Sequence, residues 1–346
     1  MGTGDHPGIA TDAEAAMRAV VLDEFGGPFI VRDLPVPEPG PGEVLVRVAA
    51  SGVNPLDLKI RAGAAAHARV RPPAVPGIDM SGTVARVGEG VTTFSVGDEV
   101  YGMTGGVGAI PGSLADYQVA DARLLASKPR NLSMAEAAAL PLPVITAWEG
   151  LVDRARAGNG DSVLVHGGAG GVGHVAVQLA VARGARVYAT DTGDAAMDVI
   201  RLAGATAIDY RATTADEYVG RYTSGEGFDV VFDTVGGATL DASFAAVRRY
   251  TGRVVSILGW GTHSLAPLSF RGASYSGVFT LLPLLTGEAR CHHGEILRHA
   301  AALAETGALR PRLHDKSFSL ADVSAAHDVL ATGSARGRVV VTIASN

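Results

Sequence analysis

Apolar runs and glycines alternate most clearly in the middle of the chain. Residues 163–165 form a short apolar run that is typical of a buried parallel strand. A cluster of glycines follows it, and residues 172–183 then show a mostly apolar helical pattern that ends at Gly184. A second apolar run, residues 186–190, leads directly into Asp191. The pattern therefore predicts a strand, a glycine turn, a helix and a second strand that ends in an acid.

From about residue 144 to residue 256, helical and strand-like segments continue to alternate. Such alternation is typical of a doubly wound parallel sheet with helices on both faces. Residues 274–282 are a candidate for one more strand. The other strands are predicted at 207–209, 228–233 and 252–258, and the helices at 194–203, 215–222 and 240–248.

The first part of the chain, residues 17–140, follows a different pattern. Its apolar segments are short, and glycine and proline turns separate them, so it suggests a closed, barrel-like antiparallel fold. A helix is predicted over residues 134–140, because Ser133 and Glu136 have the spacing of a helix cap. Strands are predicted in this part at 18–22, 29–32, 43–51 and 82–87.

The two ends of the chain have separate roles in this prediction. Residues 1–16 are polar and rich in alanine and glycine, and they are predicted to form a flexible arm. The tail carries helical patterns at 295–306 and 318–330 and one strand at 337–343. A single strand cannot make a domain, so the tail is expected to return to the first domain.

The composition indicates a globular protein without strong attraction to nucleic acid. Hydrophobic residues make up 47% and charged residues 18% of the 346 residues, enough for two domains with substantial cores. The net charge is −6 and no basic run is present, which argues against nucleic acid as a partner. Cys291 is the single cysteine, so the chain has neither an intrachain disulfide nor a cysteine-based zinc cluster. No secretory signal and no membrane-length apolar segment is found, and a cytoplasmic protein is expected.

The glycines of the central turn have a spacing with a chemical meaning. Gly168, Gly170 and Gly173 fit the pattern G-x-G-x-x-G. Glycines at such a turn let a pyrophosphate approach the backbone, and the following helix offers unpaired amide donors. Asp191 lies 18 residues beyond Gly173, where an acid can bind the hydroxyls of a ribose. A tight structural turn is the alternative in a chain with 45 glycines, but the complete unit favours dinucleotide binding.

Six motifs follow one another along the chain: GVNPLDLKIR, PGIDMSG, VGDEVYG, LPLPVITAWEGL, VHGGAGGVG and FDTVGG. Together they resemble the zinc-independent quinone oxidoreductases of the medium-chain dehydrogenase/reductase superfamily, and the resemblance runs from about residue 17 to residue 343. The resemblance implies an α/β protein with a GroES-like β-barrel catalytic domain and a Rossmann doubly wound parallel-sheet domain. We assign residues 17–140 and 286–346 to the first domain and residues 141–285 to the second. The resemblance also implies an active cleft between the two domains and assembly into a homodimer or homotetramer.

The chain departs from the zinc-containing alcohol dehydrogenases, which are the nearest relatives of that family. Asn54 stands in the position of their first cysteine ligand, and Ile78 and Asp79 stand in the positions of their His-Glu pair. Their later cysteine falls near Leu142, and no cysteine lies in residues 101–117, where they carry a structural zinc loop. The sequence therefore predicts a protein without bound zinc.

The loss of zinc changes which reaction is plausible. Alcohol oxidation needs a group that holds a developing alkoxide, whereas a quinone or an activated alkene already accepts hydride readily. We therefore expect an NAD(P)H:quinone oxidoreductase-like enzyme. Two alternatives remain open: a reductase of enal, enone or enoyl-thioester double bonds, and a dinucleotide-binding protein with little turnover.

The resemblance also implies roles for individual residues. Asn54 would face the nicotinamide, although it could equally be a turn residue, and Thr146 would contact the nicotinamide ribose region. The residues expected to line the crevice follow the fourth and fifth strands of the parallel sheet, because ligands bind beyond the carboxyl ends of such strands. The backbone of Gly171, Val172 and Gly173 would hold the pyrophosphate, and Thr234, Leu258, Gly259 and Trp260 would line the crevice.

The choice between NADH and NADPH rests on conflicting residues. Asp191 ends the second strand, where a carboxylate accepts ribose hydroxyls and repels the 2′-phosphate of NADPH. Tyr210 stands where relatives place a tyrosine near that phosphate, and Arg211 follows it. The charge of Asp191 leads us to expect NADH.

The charge effect of Asp191 gives a first prediction. In the variant Asp191→Ser the 2′-phosphate no longer meets a like charge, so the use of NADPH should improve. The measurement is a titration of NADH and NADPH against one simple quinone. An unchanged NADPH titration would remove the charge argument.

Overall fold

The structure is a computed structural model that describes residues 16–343. The arm predicted at residues 1–16 lies outside the described residues except for Ala16, which already belongs to the first strand. The first part of the chain forms antiparallel strands, as its short apolar segments predict. These strands are β1 (Ala16–Leu22), β2 (Phe29–Pro35), β3 (Glu43–Val53), β4 (Asp79–Val87), β5 (Glu99–Met103), β6 (Tyr117–Asp121) and β7 (Leu125–Ser127).

β3 is the centre of this part because it pairs with β4, β6 and the last strand of the chain. Val44, Val46 and Val48 of β3 are buried in one apolar cluster, so its alternating pattern gives it one face toward the core. β1 and β2 form a separate two-stranded sheet. A short helix, α1 (Pro55–Arg61), follows β3 directly, and Asn54 caps it in an extended conformation, as its place before a proline predicts.

The apolar segment before the central sheet forms two helices where one was predicted. α2 (Met134–Ala138) begins at the expected cap, in which the Ser133 amide donates to the Glu136 carboxylate and the Glu136 amide donates to the Ser133 hydroxyl. α3 (Pro141–Trp148) begins at a proline, which is favoured in a first helical turn, and continues as a π-helical turn, Glu149–Arg154. Pro141 and Pro143 therefore both lie in the first turn of α3.

The middle of the chain forms the expected doubly wound sheet. All of its strand pairs are parallel, and the strand order is β10-β9-β8-β11-β12-β13. Its strands are β8 (Ser162–His166), β9 (Arg186–Asp191), β10 (Thr206–Asp209), β11 (Val230–Asp233), β12 (Arg253–Ser256) and β13 (Ser274–Gly277). Its helices are α4 (Gly173–Ala182), α5 (Asp194–Leu202), α6 (Ala215–Thr223), α7 (Ala238–Ala246) and α8 (Ala266–Arg271).

The tail returns to the first sheet. Its last strand pairs antiparallel with β3, so the sheet there has seven strands drawn from both ends of the chain. No helix within residues 16–343 combines the length and apolar composition that a membrane span needs. The domain limits proposed between residues 140 and 141 and between 285 and 286 stay predictions. The tail elements are α9 (Leu282–Thr286), α10 (Arg290–Glu305), β14 (Phe318–Ser319), α11 (Val323–Ala331) and β15 (Val339–Thr342).

A buried polar network joins the two ends of the chain. The Arg338 guanidinium, just before β15, donates to the Asn54 side-chain oxygen at 2.7 Å and to the Ala139 carbonyl at 3.1 Å. The Asn54 amide nitrogen donates to the Asp79 carboxylate at 3.0 Å, and Arg338 lies 3.6 Å from the same carboxylate. The Leu142 amide donates to the other Asp79 oxygen at 2.9 Å. The last strand, β3, β4 and α3 are thereby fixed to one another.

Burial controls the protonation of the acids in this network. Asn54, Asp57, Asp79 and Arg338 are all at least 95% buried. Loss of water raises the pKa of Asp79 and of Asp57 to about 7, while the positive charge of Arg338 opposes that rise in both. Arg338, together with the hydrogen bonds from Asn54 and Leu142, therefore favours the charged form of Asp79 in the interior.

Removal of the guanidinium should destabilise the protein in a pH-dependent way. Arg338→Met leaves Asp79 buried without an opposite charge, which costs about 3 kcal/mol of unfolding free energy. The Asp79 pKa then rises further above its unfolded value, and stability from such an acid is present at low pH and lost as pH rises. We expect the loss relative to wild type to be smaller at pH 5.5 than at pH 8 in urea unfolding.

The control for this prediction is Arg298→Met, since Arg298 is an exposed arginine of α10 outside the network. It should unfold like the wild type at both pH values. A loss for Arg338→Met that is equal at pH 5.5 and pH 8 would show that packing, and not charge, is what Arg338 contributes.

Candidate active site

The carboxyl ends of four central strands meet at one edge of the parallel sheet. The strand order reverses at β8, so the chain leaves β8 and β11 toward opposite sides and opens a crevice between them. The Thr234 hydroxyl, after β11, donates to the His166 carbonyl at the end of β8 at 2.6 Å. The Ser256 hydroxyl at the end of β12 donates to the buried Asp233 carboxylate at 2.7 Å. Hydrogen bonds between neighbouring strand ends thus hold this edge.

The glycine turn after β8 presents open amide donors at this edge. The Gly170 amide donates to the Gly167 carbonyl at 3.0 Å, which closes the turn. Val172 precedes α4 without a side-chain cap, and within the described residues the amides of Gly171, Val172 and Gly173 donate to no carbonyl. Unpaired amides at a helix start attract an anionic group such as a pyrophosphate.

The glycines of the motif divide into two groups. A side chain at Gly173 would overlap the Gly167 carbonyl, and one at Gly168 would press on Ala189 of β9. These two glycines allow the helix to pack closely on the sheet, and neither lines the open space. Gly170 and Gly171 do line it. The structure therefore brings only part of the motif to the place where a ligand would lie.

Beside the turn lies an outer crevice of about 820 Å³ that reaches from Asp191 to the tail. Both Asp191 oxygens accept backbone amides, from Ala169 and from Thr192, each at 2.9 Å. These bonds fix the carboxylate against the glycine turn. The crevice is also lined by three arginines of the tail, Arg312, Arg336 and Arg338.

Tyr210 does not line the outer crevice. Its side chain is 52% exposed, and only its amide reaches the Asp191 carbonyl, at 3.3 Å. A contact between Tyr210 and a bound phosphate stays a prediction. The positive charge that the structure brings to the crevice comes from the tail instead.

On the other side of the glycine turn lies an inner cleft of about 460 Å³. Asn54 and Thr146 line it, and the Thr146 hydroxyl donates to the Leu142 carbonyl one helical turn earlier, at 2.7 Å. Lys59 of α1 is the one Lys, Arg, Asp or Glu side chain among the described residues that line it. Gly259 lies outside this lining, whereas six other predicted residues belong to it: Gly170, Gly171, Val172, Thr234, Leu258 and Trp260.

Two buried histidines next to the turn are neutral at physiological pH. His166 lies at the end of β8, and its Nδ1 is 2.9 Å from the Thr190 hydroxyl. His174 lies in the first turn of α4, with its Nδ1 3.0 Å from the Gly170 carbonyl. Burial lowers the pKa of each to about 4. They support the turn without adding charge to it.

The residues at the position of the catalytic zinc in alcohol dehydrogenases do not fit that metal. Ile78 has no ligand atom, and the amide and carbonyl of the Asn54 side chain are both engaged by Asp79 and Arg338. The Arg338 guanidinium also places a positive charge where a divalent cation would be expected. Within residues 16–343, no group of three or more His, Cys, Asp or Glu side chains is arranged to hold a metal ion.

Several lining residues were not predicted from the sequence. The missed charges are Lys59 and the tail arginines, and the missed aromatic ring is that of His67, which lines the inner cleft near Trp260. The tail arginines follow no local motif, because the contact between Arg338 and Asn54 spans 284 residues. Lys59 lies one helical turn beyond Pro55 in α1, so its position in the GVNPLDLKIR motif could have indicated it.

Comparisons with known proteins support the arrangement. A family model described as the alcohol dehydrogenase GroES-like domain matches residues 40–130, and one described as zinc-binding dehydrogenase matches residues 203–341. The solved structure of an alcohol dehydrogenase superfamily protein from Novosphingobium aromaticivorans is 54% identical. It superposes with a TM-score of 0.92 over 95% of this chain and 100% of that one.

Two curated relatives extend the comparison to proteins with assigned activities. NADPH-dependent alkenal/one oxidoreductase of Arabidopsis thaliana is 33% identical, over 94% of this chain and 79% of its own. The quinone oxidoreductase of Homo sapiens is 30% identical, over 94% of this chain and 98% of its own. The expected GroES-like and Rossmann architecture is confirmed, and this chain is an oxidoreductase that belongs to the medium-chain dehydrogenase/reductase superfamily, among the relatives of the quinone oxidoreductases.

Proposed function

We propose that the protein is a zinc-independent reductase that passes hydride from NADPH to a conjugated carbonyl compound, either a quinone or an enal or enone. One observation carries the proposal. The inner cleft brings the open glycine turn together with Asn54, Thr146 and Lys59 in a largely apolar space. A quinone is itself a conjugated enone, so one such cleft serves both kinds of acceptor.

Residues on both sides of the glycine turn would hold the coenzyme. The amides of Gly171 and Val172 suit the pyrophosphate, and Asp191 suits the adenosine ribose. Asn54 and Thr146 line the inner cleft, where the nicotinamide would lie. When bound, the reduced nicotinamide supplies a hydride, and the apolar walls of the cleft would exclude water from it.

The charges that line the outer crevice favour NADPH, whereas the charge of Asp191 alone led us to expect NADH. The Asp191 carboxylate is partly neutralised by two backbone amides, whereas the side chains of Arg312 and Arg336 make no ion pair or hydrogen bond within the described residues. Guanidinium groups bind phosphate strongly because they offer paired donors with a permanent charge. The NADPH dependence of the Arabidopsis relative agrees with this charge balance.

Lys59 would stabilise the product of hydride transfer. Hydride addition to a conjugated carbonyl leaves negative charge on the carbonyl oxygen, and an ammonium group in an apolar cleft lowers the energy of that charge. Lys59 forms no ion pair within residues 16–343, so its charge is available. It would then donate the proton that completes the reduction, and water would restore the proton.

The proposal is tested by NADPH consumption with a panel of quinones and a panel of 2-enals and enones. Turnover on either panel supports a reductase, and the ratio of kcat/KM between the panels separates the two acceptor classes. Coenzyme binding by fluorescence without turnover on either panel would instead indicate a binding protein. The homodimer or homotetramer expected from the resemblance stays a prediction.

The role of the tail arginines can be tested through coenzyme choice. Arg336→Gln removes a cation that would face the 2′-phosphate but not the rest of the coenzyme. We expect KM for NADPH to rise by about tenfold while KM for NADH stays within about twofold. Arg298→Gln, on the exposed surface of α10, is the matched control. Equal rises for both coenzymes would contradict a phosphate contact at Arg336.

The role of Lys59 can be tested through kcat. Lys59→Met should lower kcat with an enone by about tenfold, because the developing oxyanion loses its cation in a site that is partly open to water. KM for NADPH should not change, and Lys59→Arg, which keeps the charge, should retain most of kcat. A Lys59→Met enzyme with wild-type kcat over the whole pH range would show that Lys59 takes no part.

A further inference from the structure

A second cavity of about 410 Å³ adjoins the inner cleft and belongs to none of the sites described so far. It lies at the carboxyl edge of β12 and β13, where Ser256 pairs with Gly277. It shares part of its wall with the inner cleft, and these shared residues are His67, Ile257, Trp260, Val278 and Phe279. The two spaces therefore adjoin each other along these residues.

The shared wall is made largely of aromatic side chains. The His67 and Trp260 rings stack at 5.0 Å between centroids, and the Phe279 ring stands edge-on to Trp260 at 6.3 Å. Trp260 lies in a loop and is 53% exposed, so packing does not fix its ring from all sides. A ligand in the inner cleft could extend along this ring into the second cavity.

The second cavity has the chemistry of a site for hydrocarbon. None of the described residues that line it is a Lys, Arg, Asp or Glu. The Ser256 hydroxyl is already engaged by Asp233, and the Tyr275 ring packs edge-on against Phe244 at 5.8 Å. The glycine turn and the arginines that suit the coenzyme do not reach it.

We propose that the second cavity binds the apolar tail of the acceptor while the conjugated carbonyl group lies in the inner cleft beside Lys59. This inference rests on the proposed reductase activity and adds a substrate class to it: conjugated carbonyl compounds that carry an alkyl or prenyl chain. The occupant is the acceptor, because the cavity continues the cleft in which the acceptor reacts. Each buried methylene of such a tail strengthens binding by about threefold or more.

Gly277 offers a way to fill the second cavity without straining the fold. Its φ is not in the left-handed region, and a side chain there would meet nothing closer than the Tyr275 hydroxyl at 3.8 Å. Residues 275 and 277 of β13 point to the same face, and both line the cavity. The neighbouring Gly259 is unsuitable, because a side chain there would overlap the Tyr275 hydroxyl.

The test is a series of 2-enals of increasing chain length, assayed with NADPH on wild type, Gly277→Ala and Gly277→Phe. In the wild type, kcat/KM should rise by about threefold for each added methylene until the cavity is full. Gly277→Phe should abolish this rise and increase KM for the longest enal on the order of tenfold, whereas Gly277→Ala, which adds a single methyl group, should retain most of the rise. The deciding quantity is the ratio of kcat/KM for long over short enals.

A binding measurement keeps the inference separate from the reductase activity. Trp148→Phe leaves Trp260 as the sole tryptophan of the chain, which has two. A saturated long-chain ketone should then change the Trp260 emission, a four-carbon ketone should not, and Gly277→Phe should suppress the change.

The outcomes distinguish the two claims. If no enal or quinone is reduced but the long ketone changes Trp260 emission, the reductase proposal fails and the tail site stands. A kcat/KM that is independent of chain length, together with an unchanged Trp260 emission, overturns the tail site even if short enals are reduced. That result is also expected if a second copy of the chain covers this edge of the sheet.

Discussion

The pairing of Arg338 with Asn54 and Asp79 is the constraint on which the rest of the structure depends. The buried Arg338 guanidinium supplies the opposite charge that the buried Asp79 carboxylate needs. It also donates hydrogen bonds to Asn54 and to the carbonyl at the end of α2. Because these groups come from both ends of the chain, the network closes the first sheet with β15. It also sets α3 and Thr146 beside the glycine turn.

The same network explains how the cleft differs from that of a zinc enzyme. The positions of the zinc ligands are occupied by Asn54, Ile78 and Leu142. The Asn54 side chain is hydrogen-bonded on both sides, so hydrogen bonds and charge hold this site together. The acceptor proposed for this cleft, a conjugated carbonyl compound, is itself electrophilic, and the Lys59 ammonium group would stabilise the negative charge left on its oxygen.

Charge and polarity divide the open space into three regions. Arginines and amide donors surround the outer crevice, where the phosphates of a coenzyme would lie. Among the described residues, the largely apolar inner cleft is lined by one Lys or Arg side chain, and the second cavity by none. The order of these regions along one edge of the sheet matches a molecule that is anionic at one end and a hydrocarbon at the other, with the reacting atoms between them.

Local patterns and long-range contacts differ in how well the sequence predicts them. The parallel sheet, the glycine turn and the position of Asp191 follow from residues within about 30 positions of one another, and periodicity and glycine spacing reveal such units. Asn54 could be selected from its motif, but its partner Arg338 could not, since nothing near residue 338 indicates burial beside an acid. The roles of Gly168 and Gly259 also depend on neighbours from other elements, which their own motifs do not contain.

The most direct test of a metal-free reductase compares activity with metal content in the same purified sample. The protein is dialysed against a strong chelator, its zinc is measured, and its NADPH consumption with one quinone and one enal is recorded before and after. We expect the rate to be unchanged when no zinc is detectable. A rate that falls with the zinc content and returns when zinc is added would contradict the assignment of the site to Asn54, Asp79 and Arg338.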